Sequence, residues 1–193
     1  MKIKKAEAKD KNTVVNILTT SFARDAHIQW LLEKSDYEQK VPLLMAYLFE
    51  EAIRSGVVYL TEDETAAAIW KGGKKMPFSW KWLGVNLEML LKLGLPTIIR
   101  NLQTVKFTSK HLAEAEQYYN LYSLGVLPES RGKGYASLLM DAVLEKKQKE
   151  GVPVYLETAS LRNVSIYEKK GFVTYSEYKK GNHILYHMKK SAD

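Results

Sequence analysis

Apolar residues in the first third of the chain recur with the spacings of strands and helices. A strand is expected at residues 3–6, and the helix after it repeats apolar residues along one face, at Val14, Ile17, Leu18 and Phe22. A second helix is expected from the capping box Ser35-x-x-Glu38 to Gly56. Two antiparallel strands at 57–61 and 66–70 come next, because short apolar runs there flank a charged turn.

The middle of the chain shows no strand pattern and is predicted to be a helical insertion at about 74–117. Gly94 and Pro96 divide it into at least two pieces. Its most apolar stretch, 82–99, contains charged residues and falls short of the roughly 20 apolar residues of a membrane span, so no membrane partner is expected. Several aromatic residues could line an acceptor site, but a place in the core is the preferred interpretation for Trp70, Phe78, Trp80 and Trp82.

The last third alternates strands and helices, which is the pattern of an α/β chain. The expected order is strand, helix, strand and helix, at 118–126, about 132–149, 152–158 and 163–170. A hairpin follows, with strands at 172–178 and 184–188 around Lys180-Gly181-Asn182, where Gly and Asn suit positive φ. Because no linker or repeat is evident, a single domain over residues 1–193 is expected.

Composition excludes several classes of function. With 193 residues, of which 46% are hydrophobic and 26% charged, the chain has the composition of an ordinary globular domain. Its formal charge of +7 favours anionic partners without choosing among nucleic acid, phospholipid and phosphorylated small molecules. The absence of Cys excludes disulfides, thiolate metal sites and a cysteine nucleophile, and it suits a reducing compartment, so a cytoplasmic location is expected.

Neither a signal peptide nor a metal site is expected from the sequence. Residues 1–5 lead into charged residues without the apolar core of a signal peptide, so none is expected. The histidines are scattered and no carboxylate partner of a metal site is evident beside them, so no metal is predicted. Each is interpreted as an ordinary surface or hairpin residue: His27, His111, His183 and His187.

The most informative segment lies between the strand that ends at Val126 and the helix after it. Gly132 and Gly134 have no Cβ, so backbone N–H groups there can approach an anion closely, and the start of the following helix adds a positive dipole. Arg131 and Lys133 add full positive charges. The segment matches neither the Walker phosphate loop nor the dinucleotide loop. A tight turn without a ligand is the alternative interpretation.

Two motifs in this part of the chain together resemble the GNAT superfamily of acyl-CoA-dependent N-acyltransferases. The first is Arg/Gln-x-x-Gly-x-Gly/Ala, which Arg131, Gly134 and Ala136 satisfy behind the strand 121–126. The second is similar above all to the branch of puromycin N-acetyltransferase, and it consists of Tyr155-Leu156-Glu157-Thr158, Arg162-Asn163 and Tyr167-Glu168-Lys169-Lys170-Gly171-Phe172. The resemblance is sharp over 118–172, loose in the N-terminal strands and helices, and absent at 78–117.

This resemblance implies a mixed sheet of roughly six to seven strands flanked by helices, with acetyl-CoA as the acyl donor. The backbone of Leu124, Gly125 and Val126 would pair with the pantetheine arm. A backbone N–H near Val126 would stabilise the oxyanion of the tetrahedral intermediate, and Gly125 suits a β-bulge there. The pyrophosphate would lie along Arg131, Gly132, Lys133, Gly134, Tyr135 and Ala136.

Tyr167 is the candidate proton donor for the leaving thiolate. A phenol with a reference pKa of about 10 can protonate a thiolate whose thiol has a pKa of about 8.5. Asn163 lies one turn earlier on the same helix face, so both side chains would point to one channel, and Asn163 is expected to contact the coenzyme. The alternative is that Tyr167 packs against the sheet.

Glu157 is the candidate base that takes a proton from the attacking ammonium group. Strand alternation places it on one face with Tyr155 and places the other residues of the strand on the opposite face. A solvated glutamate, or one that is salt-bridged to a residue such as Arg162, is an equally good interpretation.

The sequence therefore predicts an enzyme that transfers an acetyl group from acetyl-CoA directly to a primary amine of a small molecule in a ternary complex. The helical insertion would cover the acceptor, and the protein would be a monomer or homodimer without a nucleic-acid partner. One alternative is acetylation of a protein or peptide. Others are a degenerate transferase that binds CoA, and a basic module that binds polyanions through the interleaved Trp and Lys of 78–92.

Overall fold

The computed structural model describes residues 1–32, 36–73, 91–112 and 117–192. The helices of these ranges are α1 (Lys11–Phe22), α2 (Ala26–Leu32), α3 (Tyr37–Ser55), α4 (Leu95–Leu112), α5 (Tyr135–Lys149) and α6 (Leu161–Glu168). The strands are β1 (Ile3–Lys5), β2 (Gly56–Thr61), β3 (Ala66–Gly72), β4 (Tyr119–Val126), β5 (Val154–Thr158), β6 (Val173–Lys180) and β7 (His183–Lys190). No helix within the described ranges is long and apolar enough to cross a membrane.

One mixed sheet contains all seven of these strands, in the order β1-β2-β3-β4-β5-β7-β6. Its neighbouring strands are antiparallel except for β4 and β5, which run parallel. A parallel pair needs a long crossover connection, and α5 lies within it. The predicted α/β class with a mixed sheet flanked by helices is confirmed.

Helices cover both faces of the sheet because apolar side chains alternate along the central strands. The first face packs against α1, α2 and α3 and includes Val58, Leu60, Ala67 and Ile69. The second face packs against α5 and α6 and includes Ala68, Trp70, Leu121, Val154, Leu156 and Met188. Trp70 is fully buried, which confirms its interpretation as a core residue. The other aromatic residues considered with it, Phe78, Trp80 and Trp82, lie outside the described residues.

Local side-chain contacts explain where the helices differ from the sequence prediction. No sequence pattern predicted α2, which begins where Asp25 Oδ1 accepts hydrogen bonds from the backbone N–H groups of His27 and Ile28, at 2.9 and 3.0 Å. The last helix begins at Leu161 rather than 163, because the Ser160 hydroxyl accepts from a backbone N–H and caps it. Ser35 of the predicted capping box lies outside the described residues.

The predicted insertion contributes α4, which begins directly after Gly94, a residue with a φ of +86°. Arg100 of α4 donates from Nη1 to the Trp30 carbonyl of α2 at 3.1 Å. Farther along, the Phe107 ring lies 5.4 Å from the ring of Tyr178 and 5.1 Å from that of His187, measured between centroids. The helix therefore lies over β6 and β7, whereas residues 74–90 and 113–116 of the predicted insertion lie outside the described residues.

The bulge expected at Gly125 lies elsewhere in β4. Ile69 pairs with Ser123 and Trp70 with Leu121, so the extra residue is Tyr122, whereas Gly125 pairs regularly with Ala67. Glycine is needed at 125 for another reason. A Cβ atom at Gly125 would lie 2.8 Å from Ser21 Oγ and 3.0 Å from Leu18 Cδ2, so its absence lets α1 approach the strand. The hairpin differs from the prediction as well: Gly181 has a positive φ, at +58°, but Asn182 does not.

The substitution Gly125→Ala is expected to lower the free energy of unfolding by about 1–3 kcal/mol, because the added methyl group overpacks the contact with α1. Urea denaturation of both proteins gives the difference. Gly72→Ala is the matched control, since a Cβ there meets Tyr119 Cδ2 at an ordinary 3.5 Å. Equal stability of the two variants would contradict the close-approach role of Gly125.

Candidate functional site

The parallel strands β4 and β5 pair at only one end. Three residue pairs join them, of which the last is Leu121 with Leu156. Beyond this point β4 continues to Val126 and β5 to Thr158, and these described segments do not pair with each other. The Tyr122 bulge lies where the pairing ends. The edge of β4 from Leu124 to Val126 therefore faces an opening in the sheet, and an extended ligand could pair with its backbone.

The predicted anion-binding turn lies beyond the end of β4. Gly132 and Gly134 have φ values of +78° and +86°, which favour glycine, and Gly134 is the left-handed N-cap of α5. Helix α5 begins at Tyr135 rather than near 132. The side chain of Arg131 donates from Nε to the Val126 carbonyl at 3.4 Å, which fastens the turn to the strand. All four residues of the turn from Arg131 to Gly134, including Lys133, are exposed.

The first turn of α5 has a geometry that suits an anion. Its leading N–H groups, including those of Tyr135 and Ala136, have no helical acceptor ahead of them, so they carry the positive end of the helix dipole. The Tyr135 hydroxyl donates to Asp63 Oδ2 in the β2–β3 turn, a contact that no sequence motif predicts. This hydrogen bond lowers the pKa of Asp63 and links the anion-binding turn to the neighbouring strands.

Helix α6 brings Asn163 and Tyr167 to the other side of the opening. Asn163 donates from Nδ2 to Thr158 Oγ1, at the end of β5, at 3.4 Å. The half-buried Tyr167 ring lies 5.9 Å from the Phe172 ring in an edge-to-face arrangement. The ring therefore packs against the core on this face of the sheet, as the alternative interpretation expects. Burial raises the pKa of Tyr167 to about 12, and the negative charge of Asp25 adds to this effect. The hydroxyl therefore keeps its proton at neutral pH.

Glu157 projects from the opposite face of β5, as the alternation predicts. Its neighbour Leu156 belongs to the core beneath α5 and α6, whereas Glu157 Oε1 accepts a hydrogen bond from Thr108 Oγ1 of α4 at 2.6 Å. His187 pairs with Glu157 across β5 and β7, and its Nδ1 lies 3.4 Å from the same Oε1. The alternative pairing with Arg162 is wrong, because that residue is exposed on α6 while Thr108 and His187 contact the carboxylate.

The surroundings of Glu157 favour its neutral form more than water would. Burial raises the pKa of this carboxyl group, and the hydrogen bond from Thr108 acts in the opposite direction. Three tyrosines lie on the same face as Glu157. The ring centroids of Tyr155 and Tyr175 are 5.7 Å apart, and the centroid of the Tyr122 ring is 4.1 Å from Lys71 Nζ. Burial raises the pKa of Tyr175 and of Tyr122, and the charge of Glu157 contributes to both increases.

Three histidines are not the surface residues that the sequence suggested, and one of them, His187, lies beside this carboxylate. His183 and His187 are hairpin residues, as expected, but they are buried, and His187 is 0% exposed. His27 Nδ1 lies 3.1 Å from His183 Nε2, and the His183 ring stacks on Trp30 with centroids 4.4 Å apart. Burial lowers the pKa of His27 to about 4. Within the described ranges, no group of His, Cys, Asp or Glu has the arrangement of a metal site.

The part of the chain that contains the opening is similar to a known protein family. Residues 101–174 match the family model of an acetyltransferase (GNAT) domain, a range that includes β4, the anion-binding turn, β5 and α6. A curated relative, an uncharacterised N-acetyltransferase of Schizosaccharomyces pombe, is 28% identical over 186 residues, covering 90% of this chain and 74% of the relative.

Solved structures of acetyltransferases have a similar fold. One is histone acetyltransferase HPA2 and related acetyltransferase from Corynebacterium glutamicum, with a TM-score of 0.71 and 18% identity over 98% of this chain and 94% of that chain. Another is arylalkylamine N-acetyltransferase 2 from Aedes aegypti, with a TM-score of 0.70 and 16% identity over 100% of this chain and 99% of that chain. At these identities the likeness establishes the fold.

Proposed function

We propose that this chain, which carries a GNAT acetyltransferase domain over residues 101–174, transfers the acetyl group of acetyl-CoA to a primary amine of a small molecule. One observation carries the proposal. The exposed turn with its two glycines lies at the end of the same strand whose edge, from Leu124 to Val126, faces the opening beside β5. A diphosphate site and an extended-chain site therefore adjoin each other, which is the order of groups in coenzyme A.

The coenzyme would bind along this strand edge. Its pantetheine arm would pair with the backbone of Leu124, Gly125 and Val126 as an added strand. The pyrophosphate would accept hydrogen bonds from the N–H groups at the start of α5, and positive charges beside that helix would strengthen the attraction. The groups assigned to the pyrophosphate are Arg131, Gly132, Lys133, Gly134, Tyr135 and Ala136. Asn163 would contact the coenzyme from α6, across the opening.

The reaction would proceed by direct attack of the amine on the thioester carbonyl. The amine nitrogen forms a bond to the carbonyl carbon, and a backbone N–H near Val126 stabilises the oxyanion that results. When the intermediate collapses, the carbon–sulfur bond breaks. Glu157 takes one proton from the ammonium group, which frees the nitrogen lone pair for attack, and Tyr167 donates its proton to the departing sulfur. The second proton that the nitrogen loses passes through water to the Tyr167 oxygen, which restores the phenol. No oxidant is needed, and the products are an amide and CoA with a free thiol.

The surroundings of Glu157 support a small-molecule acceptor. Thr108 of α4 and His187 of β7 hold the carboxylate beneath a helix, and Tyr122, Tyr155 and Tyr175 lie on the same face. Such aromatic walls bind the apolar part of an amine and attract its ammonium group through their π faces. The Aedes aegypti protein is named for arylalkylamines, which are small amines, whereas the Corynebacterium glutamicum protein is named for histones. The puromycin-like branch stays a prediction from the motif alone.

Purified protein is expected to release CoA thiol from acetyl-CoA when a primary arylalkylamine or alkylamine is supplied, because the acceptor face combines a half-buried carboxylate with tyrosine rings. A thiol-reactive dye and mass spectrometry of the amide measure the reaction. A panel of peptides with free N-termini or lysines serves as the comparison. Turnover on peptides without turnover on small amines would overturn the choice of acceptor, and inactivity on both panels would overturn the enzymatic function.

The double variant Arg131→Gln/Lys133→Gln is expected to weaken acetyl-CoA binding by about tenfold to a hundredfold, because two charge-assisted contacts to the pyrophosphate are lost. Isothermal titration calorimetry measures the change. Lys146→Gln/Lys149→Gln removes the same charge from the opposite end of α5 and is the matched control. If both double variants weaken binding equally, net charge rather than the turn attracts the coenzyme.

Tyr167→Phe is expected to lower kcat by about a hundredfold while the Kd for acetyl-CoA stays unchanged, because the ring still packs but the proton donor is gone. Rapid-quench or steady-state assays give kcat, and calorimetry gives the Kd. Tyr59→Phe is the control, since that half-buried tyrosine of β2 packs against the same core away from the opening. Unchanged turnover in Tyr167→Phe would exclude the hydroxyl as the acid.

A further inference from the structure

A single hydroxyl group in α4 lies within hydrogen-bonding distance of two acceptors. Thr108 Oγ1 is 2.6 Å from Glu157 Oε1 and 3.0 Å from the main-chain oxygen of Thr104. A hydroxyl carries one proton and two lone pairs, so it cannot donate to both oxygens at the same time. Which acceptor it uses therefore depends on whether the Glu157 carboxyl group carries a proton.

The two protonation states of Glu157 correspond to two orientations of this hydroxyl. When Glu157 is ionised, Thr108 donates to the carboxylate, and a bond to a charged acceptor is roughly twice as strong as a neutral one. When Oε1 carries a proton, the carboxyl O–H donates to Thr108 Oγ1, whose own proton turns to the Thr104 carbonyl. The Thr108 hydroxyl proton has an acceptor in both arrangements without movement of the backbone.

We propose that Thr108 is a positioning residue that holds Glu157 in place through both halves of its proton cycle and switches its hydroxyl proton between the carboxylate and the Thr104 carbonyl. The proposal rests on the proposed function, in which Glu157 is the base. The step balances: an N–H bond of the amine breaks, an O–H bond forms on Glu157, and the Thr108 hydroxyl only rotates. Water takes the proton from Glu157 after the product leaves.

Other titratable groups face Glu157 from three strands. His187 of β7 has its Nδ1 3.4 Å from Oε1, and the charge of Glu157 acts on Tyr122 of β4 and Tyr175 of β6. Burial raises the pKa of both phenols, so they are uncharged at neutral pH. Burial also raises the pKa of Glu157, and the Thr108 hydroxyl opposes that increase. The hydroxyl therefore helps to keep a half-buried carboxylate ionised and ready to accept a proton.

The decisive variant is Thr108→Val, which keeps the shape of the side chain and removes its hydroxyl. Because the base must be ionised, kcat/KM falls as the pH drops through the pKa of Glu157. Loss of the hydrogen bond that favours the ionised form raises that pKa, so the acidic limb of the pH profile is expected to move up by about 1 pH unit. The KM for acetyl-CoA stays constant, and Thr108→Ser restores the wild-type limb.

Thr97→Val is the matched control on the same helix. The Thr97 hydroxyl is buried and donates to the Leu93 carbonyl at 3.0 Å, the same back-bond to the preceding turn that Thr108 makes. This control is expected to leave the pH profile unchanged. A Thr108→Val enzyme with the wild-type limb, or one whose activity falls equally at every pH, would overturn the proposal, because either result assigns Thr108 a purely structural role.

A titration that needs no turnover separates this proposal from the proposed function. In protein labelled with 13C at glutamate carboxyl groups, the Glu157 resonance, assigned with Glu157→Gln, is expected to titrate about 1 pH unit higher in Thr108→Val than in wild type. An unchanged midpoint would overturn the role of Thr108 even in an active enzyme. A shifted midpoint in a protein that acetylates no amine would sustain the hydrogen bond and overturn the reaction instead. Thr108→Ala tests the same shift if the valine variant fails to fold.

Discussion

The early end of pairing between β4 and β5 is the constraint on which the rest of the site depends. Two parallel strands that stay paired satisfy each other's backbone groups, but here the ladder stops at Leu121 and Leu156. Beyond it, the Tyr122 bulge redirects β4 while β3 continues to pair with its other edge. The strand therefore keeps its position in the sheet and presents, along one side, backbone donors and acceptors that β5 does not pair with and that a ligand with amide groups can contact.

Strand alternation distributes the proposed chemistry between the two faces of the sheet. Odd and even residues of β5 point in opposite directions, so Leu156 packs beneath α6 while Glu157 points toward α4. Tyr167 approaches from the α6 side. The proposed acid and base therefore lie on opposite sides of the opening. A thioester between them can receive the amine from one side and release the thiol toward the other, without either proton having to cross the sheet.

Local patterns in the sequence were sufficient for some of these features and insufficient for others. The turn with Gly132 and Gly134 and the alternation of β5 follow from neighbouring residues, and both were predictable. The contacts of Glu157 with Thr108 and His187 depend on the packing of α4 and on the pairing of β5 with β7, which join distant parts of the chain. The bulge was predicted at the wrong residue for a similar reason. Gly125 is required by the close approach of α1, a helix far away in sequence.

Burial around Glu157 also addresses the main difficulty of the proposed reaction, which is that an ammonium group holds its proton far more tightly than a carboxylate does. The reference pKa of a primary alkylamine such as the lysine side chain is about 10.4, and that of a glutamate about 4.3. Removal from water disfavours both charged forms, so the pKa of the bound amine falls while the pKa of Glu157 rises. The same desolvation therefore brings the two values together. The Thr108 hydrogen bond limits the rise on the Glu157 side, because a base that is already protonated at working pH cannot accept the proton.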